Sequence, residues 1–355
     1  MDLKDYNYNI VNWFLDKTIN DFPDGKNYVI IYQNIVEALK QVHKSVTAGA
    51  DFSDGTSLTW HDESHINKVI KQASKLLCYR DMGITPFETF VLLVAIQIHD
   101  IKNIEGRGEH ENRAIEIFTD LNISGLIDSI LLKNIGFVAS CHAGSFVVGE
   151  RVEKDKISLL APSVFNGDRK IRLRILAAIL RLADEYADDS ERAMNFLLKI
   201  GRIKKGSIIH QKHAQSLIDV NIEANSGKVD FDYHVTVEDA IKQFPKYIKS
   251  KDTYEDIYLL DEIFERTLKS HYETVYCMRY LRPGISINRI HVSIEIEHLE
   301  ITNQLTISYE LEEMGYPNTD MTLIQLCGEK YLKHDGSYWS GENLKDYLES
   351  ILLTK

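Results

Sequence analysis

Only six prolines and four cysteines occur in the 355 residues. The cysteines, Cys78, Cys141, Cys277 and Cys327, stand far apart with no CxxC pair. That argues against a zinc ribbon and fits reduced thiols in a cytoplasm. Cys141, beside His142, reads as a small buried thiol rather than a nucleophile. Long apolar runs are missing too. The most apolar stretch, Phe87 to Ile98, is interrupted by Glu88 and Thr89 and is too short to cross a bilayer, so it belongs in a core and no membrane partner is expected. The start, "MDLKDYNYNI", has no basic segment followed by an apolar one, so nothing in it points to secretion. Positive charge is scarce: 41 Lys and Arg against 53 Asp and Glu leave a net charge of −12. Sequence-blind binding to nucleic-acid backbones needs clustered cations and is disfavoured. The densest basic stretches, "RKIRLR" at 169–174 and "RIKK" at 202–205, read as a solvated helix face or loop. Neither GxxxxGK[ST] nor GxSxG occurs, which leaves no P-loop and no nucleophile elbow for a Ser-His-Asp triad. There is no short internal repeat and no low-complexity tract.

What the chain does have is 44% hydrophobic content in an order that changes partway along. Residues 8–45 carry two helical patterns, and from His65 to about Ile200 the reading is almost wholly helical. Ile66, Val69, Ile70, Ala73, Leu76 and Leu77 recur at helical spacing, and Pro86 suits a first turn. "GLIDSILLKNIGFVASCH" and "DRKIRLRILAAILRLADEYA" read as two more amphipathic helices. After Gly206, "SLIDVNIEANSGKVDFDYHVTV" reads as two strands around a turn, Tyr254 to about Tyr280 as a long helix, and "ISINRIHVSIEIE" as a half-buried strand. The expected fold class is α+β, with an all-helical bundle over 1–205 and a smaller mixed region over 206–355. The Tyr254–Tyr280 helix has an apolar stripe that would serve a core, a homo-oligomer interface or a lid alike.

The polar groups on these helices stand in unexpected places. Asp184 follows Leu180 and Ala177 on one stripe, and His99 follows Leu92, Ala95 and Ile96 on another, so both heads sit on faces that otherwise turn to the core. An unpaired carboxylate there would be neutralised, paired or bound to a metal. His65 begins one helix, His99 ends another beside Asp100, His110 begins the next, and His142 ends the one after it; His61 lies one turn before His65. Helix ends let side chains from separate helices converge, and imidazole with carboxylate suits Mn, Fe, Co, Ni or Zn. One ion would take His65, His99, Asp100 and Asp184, and a second Asp100, His110 and His142.

The order H…HD…D, filled by His65, His99–Asp100 and Asp184, resembles the HD superfamily of metal-dependent phosphohydrolases. "LRLADEYADD" is similar to its last metal-bearing helix, and "SLTWHDESHINKVI" to its entry segment. His110 and His142 fall where dinuclear branches carry extra ligands. The resemblance covers roughly residues 56–200. It implies a helical bundle with one or two divalent ions, Mg included, at its centre, and hydrolysis of a phosphoester or nucleotide phosphate. The usual "HDIGK" is here His99-Asp100-Ile101-Lys102-Asn103, with the lysine one place early. His142-Ala143 replaces the paired histidines of cyclic-dinucleotide hydrolases, and "IKNIE" replaces the HDxxED continuation of guanosine tetraphosphate hydrolases, so both subfamilies are disfavoured. The trailing α+β region looks more like the HD domains of prokaryotic conflict and stress systems, some linked to Hsp90-like ATPases.

On this reading Asp100 and Lys102 are the residues expected to take part in the reaction. Lys102, Arg107, Arg172 and Arg181 are the nearest cations in sequence that could meet a phosphate, and His61 would touch substrate or support a ligand. Each alternative has a plain form: a buried ion pair for His99, Asp100 and Asp184, a helix cap for His110 and His142, a solvated surface for the cations. The later histidines carry no spacing signal. Two other functions fit the same residues: a metal-dependent nuclease on single strands, against which the acidity counts, and a nucleotide-binding sensor or scaffold without turnover.

Overall fold

The computed structural model describes the chain apart from residues 23, 49–62, 79–81, 106–109, 145, 149–150, 224, 249, 283, 298–304, 314–320, 328–332, 335–336 and 354–355. It is mostly helical with several small sheets, an α+β fold as expected. Two compact units are formed. The first comprises Met1–Ala50, His61–Ala187 and Tyr276–Ser286, the second Asp51–Trp60, Asp188–Val275 and Ile287–Lys355. Among the described residues no helix is long and apolar enough to cross a membrane.

The first unit is a helical bundle built from α1 (Ile10–Leu15), α2 (Tyr28–Ala48), α3 (Glu63–Cys78), α4 (Pro86–Ile98), α5 (His110–Arg113), α6 (Ile117–Asp120), α7 (Ser129–Ser140) and α8 (Leu173–Glu185). Helix α4 is its axis. Every residue from Phe87 to Ile98 is buried, so this helix has no solvent face and must be surrounded by others. Its start is secured chemically: Thr85 accepts from the Glu88 backbone N–H, the Glu88 carboxylate accepts from the Thr85 N–H, and Pro86 occupies the first turn. At the other end, the imidazole of His43 on α2 donates to the Gln97 carbonyl at 2.8 Å, satisfying one of the helix's last acceptors. Helix α8 is amphipathic, with Leu176, Ala177 and Leu180 fully buried. Gln72 on α3 donates to the Tyr186 carbonyl at 2.7 Å and so ties α3 to the C-terminal end of α8.

Two short hairpins interrupt the helices where the sequence reading expected none: β1 (Phe146–Val148) with β2 (Arg151–Glu153), and β3 (Val164–Asn166) with β4 (Arg169–Ile171). Three residues per strand are too few to show an alternating pattern, which is why "DRKI" read as the start of a helix.

In the second unit, β5 (Leu217–Glu223) and β6 (Lys228–Thr236) form the expected hairpin. β7 (Gln243–Ile248) pairs with β8 (Thr253–Tyr258). β9 (Arg289–Glu297) lies parallel to β6 and antiparallel to β10 (Leu305–Glu312), giving a sheet of order β10-β9-β6-β5. The long helix runs from Leu259 to Leu281 and its last turns, from Tyr276, belong to the first unit. It begins later than expected because "TYEDIY", rich in Thr, Tyr and Ile, pairs with β7. Within this unit Glu262 is fully buried, yet its carboxylate accepts from Lys246 at 2.8 Å, Arg266 at 2.9 Å and His210 at 3.0 Å. Burial alone would raise its pKa; His210, Arg266 and Lys246 outweigh it and hold the carboxyl well below the usual range.

Glu88 also holds Arg172, whose guanidinium donates to its two oxygens at 2.7 and 2.6 Å. Burial of Glu88 opposes ionisation, but Arg172 and the Thr85 and Arg172 backbone N–H groups lower its pKa on balance. Because the folded-state pKa is depressed, this stabilisation is present above the ordinary glutamate range and is lost as pH falls below it. Glu88→Gln is therefore expected to cost about 3 kcal/mol at neutral pH. The change should appear as a lower denaturant midpoint at unchanged slope, with a shallower loss of stability on acidification.

Candidate metal centre

The residues of interest sit at helix ends of the first unit. His65 is in the first turn of α3, His99 caps the C-terminus of α4 with Asp100 next to it, His110 opens α5, His142 lies in the turn directly after α7, and Asp184 is in the last turn of α8. Helices α4, α7 and α8 thus all present C-termini, whose carbonyl ends carry partial negative charge and favour a cation.

The structure brings six of these side chains together in two groups that share one carboxylate. In the first, His65 Nε2 is 3.1 Å from Asp184 Oδ1 and 3.9 Å from Asp100 Oδ2, and His99 Nε2 is 3.5 Å from each of those oxygens. In the second, His110 Nε2 and His142 Nε2 are 3.2 Å apart and lie 3.4 and 3.2 Å from Asp100 Oδ1. Asp100 therefore turns one oxygen to each group. Donors bound at about 2.1 Å to one ion stand about 3 to 3.5 Å from their neighbours, the spacing of all these pairs but His65 and Asp100.

Protonation makes the same point. His99 Nδ1 lies 2.8 Å from the Ile96 carbonyl and His142 Nδ1 2.7 Å from the Ala139 carbonyl. A carbonyl can only accept, so both Nδ1 atoms donate, and in the neutral rings each Nε2 is a lone pair. Those lone pairs face carboxylate oxygens and, for His142, a second imidazole. Such a set is mutually repulsive unless a proton or a cation lies between its members. Without an ion, protons take the place. Burial of His99 opposes charging, but the Asp100 and Asp184 carboxylates prevail and raise its pKa to about 9. Burial would raise the pKa of Asp184, but His99 and His65 hold it well below the carboxylate range. His65 and His99 are fully buried, whereas the side chains of Asp184, Asp100 and His110 keep 22%, 12% and 13% of their exposure, so the group opens on their side.

The other expected site residues are placed differently. The Lys102 ammonium pairs with Asp120 at 2.7 Å and Glu116 at 3.8 Å. Arg172 is not brought to the cluster. It precedes α8, twelve residues from Asp184 or about 18 Å along a helix, and is committed to Glu88 and to the Met82 and Gly83 carbonyls. Arg181 is buried, stacks over Tyr276 and donates to the Lys154 carbonyl at 3.1 Å. It braces Gly144, which has φ +74°; a Cβ there would lie 2.7 Å from the Arg181 Nη2. That packing sits beside the turn bearing His142. His61 and Arg107 lie outside the described residues.

One residue the sequence reading passed over is Glu111. Its carboxylate is 3.4 Å from His110 Nδ1 and 3.5 Å from the Lys156 ammonium. A carboxylate behind the far nitrogen of an imidazole is how ligating histidines are commonly oriented, and its position next to His110 was the available signal.

A family model described as HD-CE matches residues 49–260, and the chain belongs to the HD-CE family, a family of HD-type domains. Comparison with curated proteins and with solved structures found no significant match. The buried His and Asp cluster is compatible with an HD metal site.

Asp184→Ala is expected to strip the first group's ion, His142→Ala the second group's, and Asp100→Ala both, as read by elemental analysis of gel-filtered protein. Since an ion must displace the His99 proton, apparent affinity should rise with pH up to about 9. Calorimetry at neutral pH should show proton release; pH-independent binding would contradict the geometry.

Proposed function

We propose that this chain is a metal-dependent phosphohydrolase acting on a phosphoester or nucleotide phosphate. The observation that carries the reading is the division of Asp100 between two donor groups, the first of them built on the fully buried His65 and His99. A divalent cation in such a place supplies a Lewis acid for a phosphoryl group and makes water a nucleophile at neutral pH.

The roles of the chain's own residues follow from where they sit. His65, His99 and Asp184 would hold one ion and His110 and His142 the other, with Asp100 setting their separation. With one oxygen turned to each group, Asp100 would help hold both ions and would not be free to serve as a base. Asp100 and Asp184 are the two carboxylates in the groups. Two divalent ions would therefore leave an excess of two positive charges, matched to a phosphate dianion. The fully buried His65 and His99 close the inner side to water, which strengthens those interactions. Substrate would approach from the side of Asp184 and His110. The chain's net charge of −12 disfavours long nucleic-acid strands as substrates.

Full-length protein supplied separately with Mn, Mg, Fe, Co, Ni and Zn should release phosphate, or cleave a phosphodiester, from some member of a nucleotide and phosphodiester panel. Asp100→Asn and Asp184→Asn should abolish that turnover while far-ultraviolet circular dichroism stays the same. Turnover that survives either substitution, or protein shown to be metal-loaded that only binds its ligand, would overturn the assignment.

A further inference from the structure

Beside the second donor group the first unit contains a cavity of about 320 Å³. Its walls include Phe137, Leu159, Leu160, Val164 and Leu173, with Asn134, Ser140, Asn112 and Lys156 as the polar members. Two of its lining residues tie it to the metal centre in the chain: Cys141 immediately precedes His142, and Asn112 follows His110 by two residues. The size falls at the lower end of small-molecule pockets, and a mostly apolar wall with a few polar groups is their usual composition.

Asn134 is the informative residue. It lies mid-helix on α7, only 7% exposed, and among the described residues its carboxamide makes no hydrogen bond. Its amide atoms are not closed off from solvent, so they open onto the cavity and a ligand there can take the place of water at both the donor and the acceptor. The Lys156 ammonium is already occupied, 3.1 Å from Asn112 Oδ1 and 3.5 Å from Glu111, so the cavity does not call for an anion.

We infer that this cavity binds the uncharged organic part of the substrate, a nucleobase or a similar flat heterocycle, with Asn134 reading its edge. A carboxamide offers a donor and an acceptor side by side, as a base edge does, and Phe137 supplies an aromatic face in the same cavity. An aliphatic chain would leave Asn134 unpartnered; a phosphate would find no uncommitted cation among the polar groups named. The inference rests on the phosphohydrolase reading for the word substrate, but binding to the cavity is measurable without metal or turnover.

The test is titration of the metal-free, full-length chain with adenosine, guanosine, cytidine and uridine, and separately with inorganic phosphate, by saturation-transfer NMR and calorimetry. At least one nucleoside should bind at millimolar concentration or below. Asn134→Leu should weaken that binding about tenfold or more while far-ultraviolet circular dichroism stays the same. Ala161→Phe, at an exposed position on the cavity wall, should abolish binding without changing the Tm. No nucleoside binding, or equal binding by wild type and both variants, would overturn the proposal. Nucleoside binding by a chain that hydrolyses nothing would retain the pocket and remove the enzymatic reading; hydrolysis without nucleoside binding would do the reverse.

Discussion

The bundle depends on one electrostatic problem and its solution. Two carboxylates and four imidazoles meet at helix ends, with both ring nitrogens of His65 and His99 out of contact with solvent. Bare carboxylates and imidazole lone pairs at these distances repel one another, and three helix C-termini add negative potential. A cation would turn each of those penalties into an attraction, at the end of a helix whose residues Phe87 to Ile98 are all buried.

The surrounding architecture keeps that group in register. Helix α4 has no exposed side, and its two ends are fastened by different means: Glu88 and Arg172 at the start, His43 near the finish. Gln72 fastens α3 to the end of α8, so His65 and Asp184 are positioned by a bond outside the cluster. Arg181 packs against Gly144, beside the turn that carries His142. These supports explain how ligands drawn from five helices and their flanking turns can reach coordinating distance with little backbone freedom.

The legible part of this arrangement was the part written in periodicity. His99 and Asp184 could be found because each interrupts an apolar stripe at helical spacing, and the H…HD…D order made a family resemblance specific. Three strands of the four-stranded sheet were visible, since β5, β6 and β9 alternate; β10, "LTISYELE", alternates as well and was passed over. Cations were the weak point. Arg172 was near the site only in sequence, whereas Arg181 does lie by the His142 turn but is packed on Gly144; their partners Glu88 and Lys154 stand 84 and 27 residues away, which a linear reading does not see. Glu111, Lys156 and Asn134 were missed for the same reason, because an ordinary polar residue on a helix looks solvated until its neighbours are known. The start of the long helix was misplaced where strand pairing with β7 overrode a helical pattern.

The direct test of the central claim is an anomalous-scattering experiment on crystals grown with Mn. Two peaks about 3.5–4 Å apart on either side of Asp100 are expected, one touching His65, His99 and Asp184 and the other His110 and His142. A map with no density at Asp100, and its carboxylate instead hydrogen-bonded to protonated histidines at saturating metal, would contradict it.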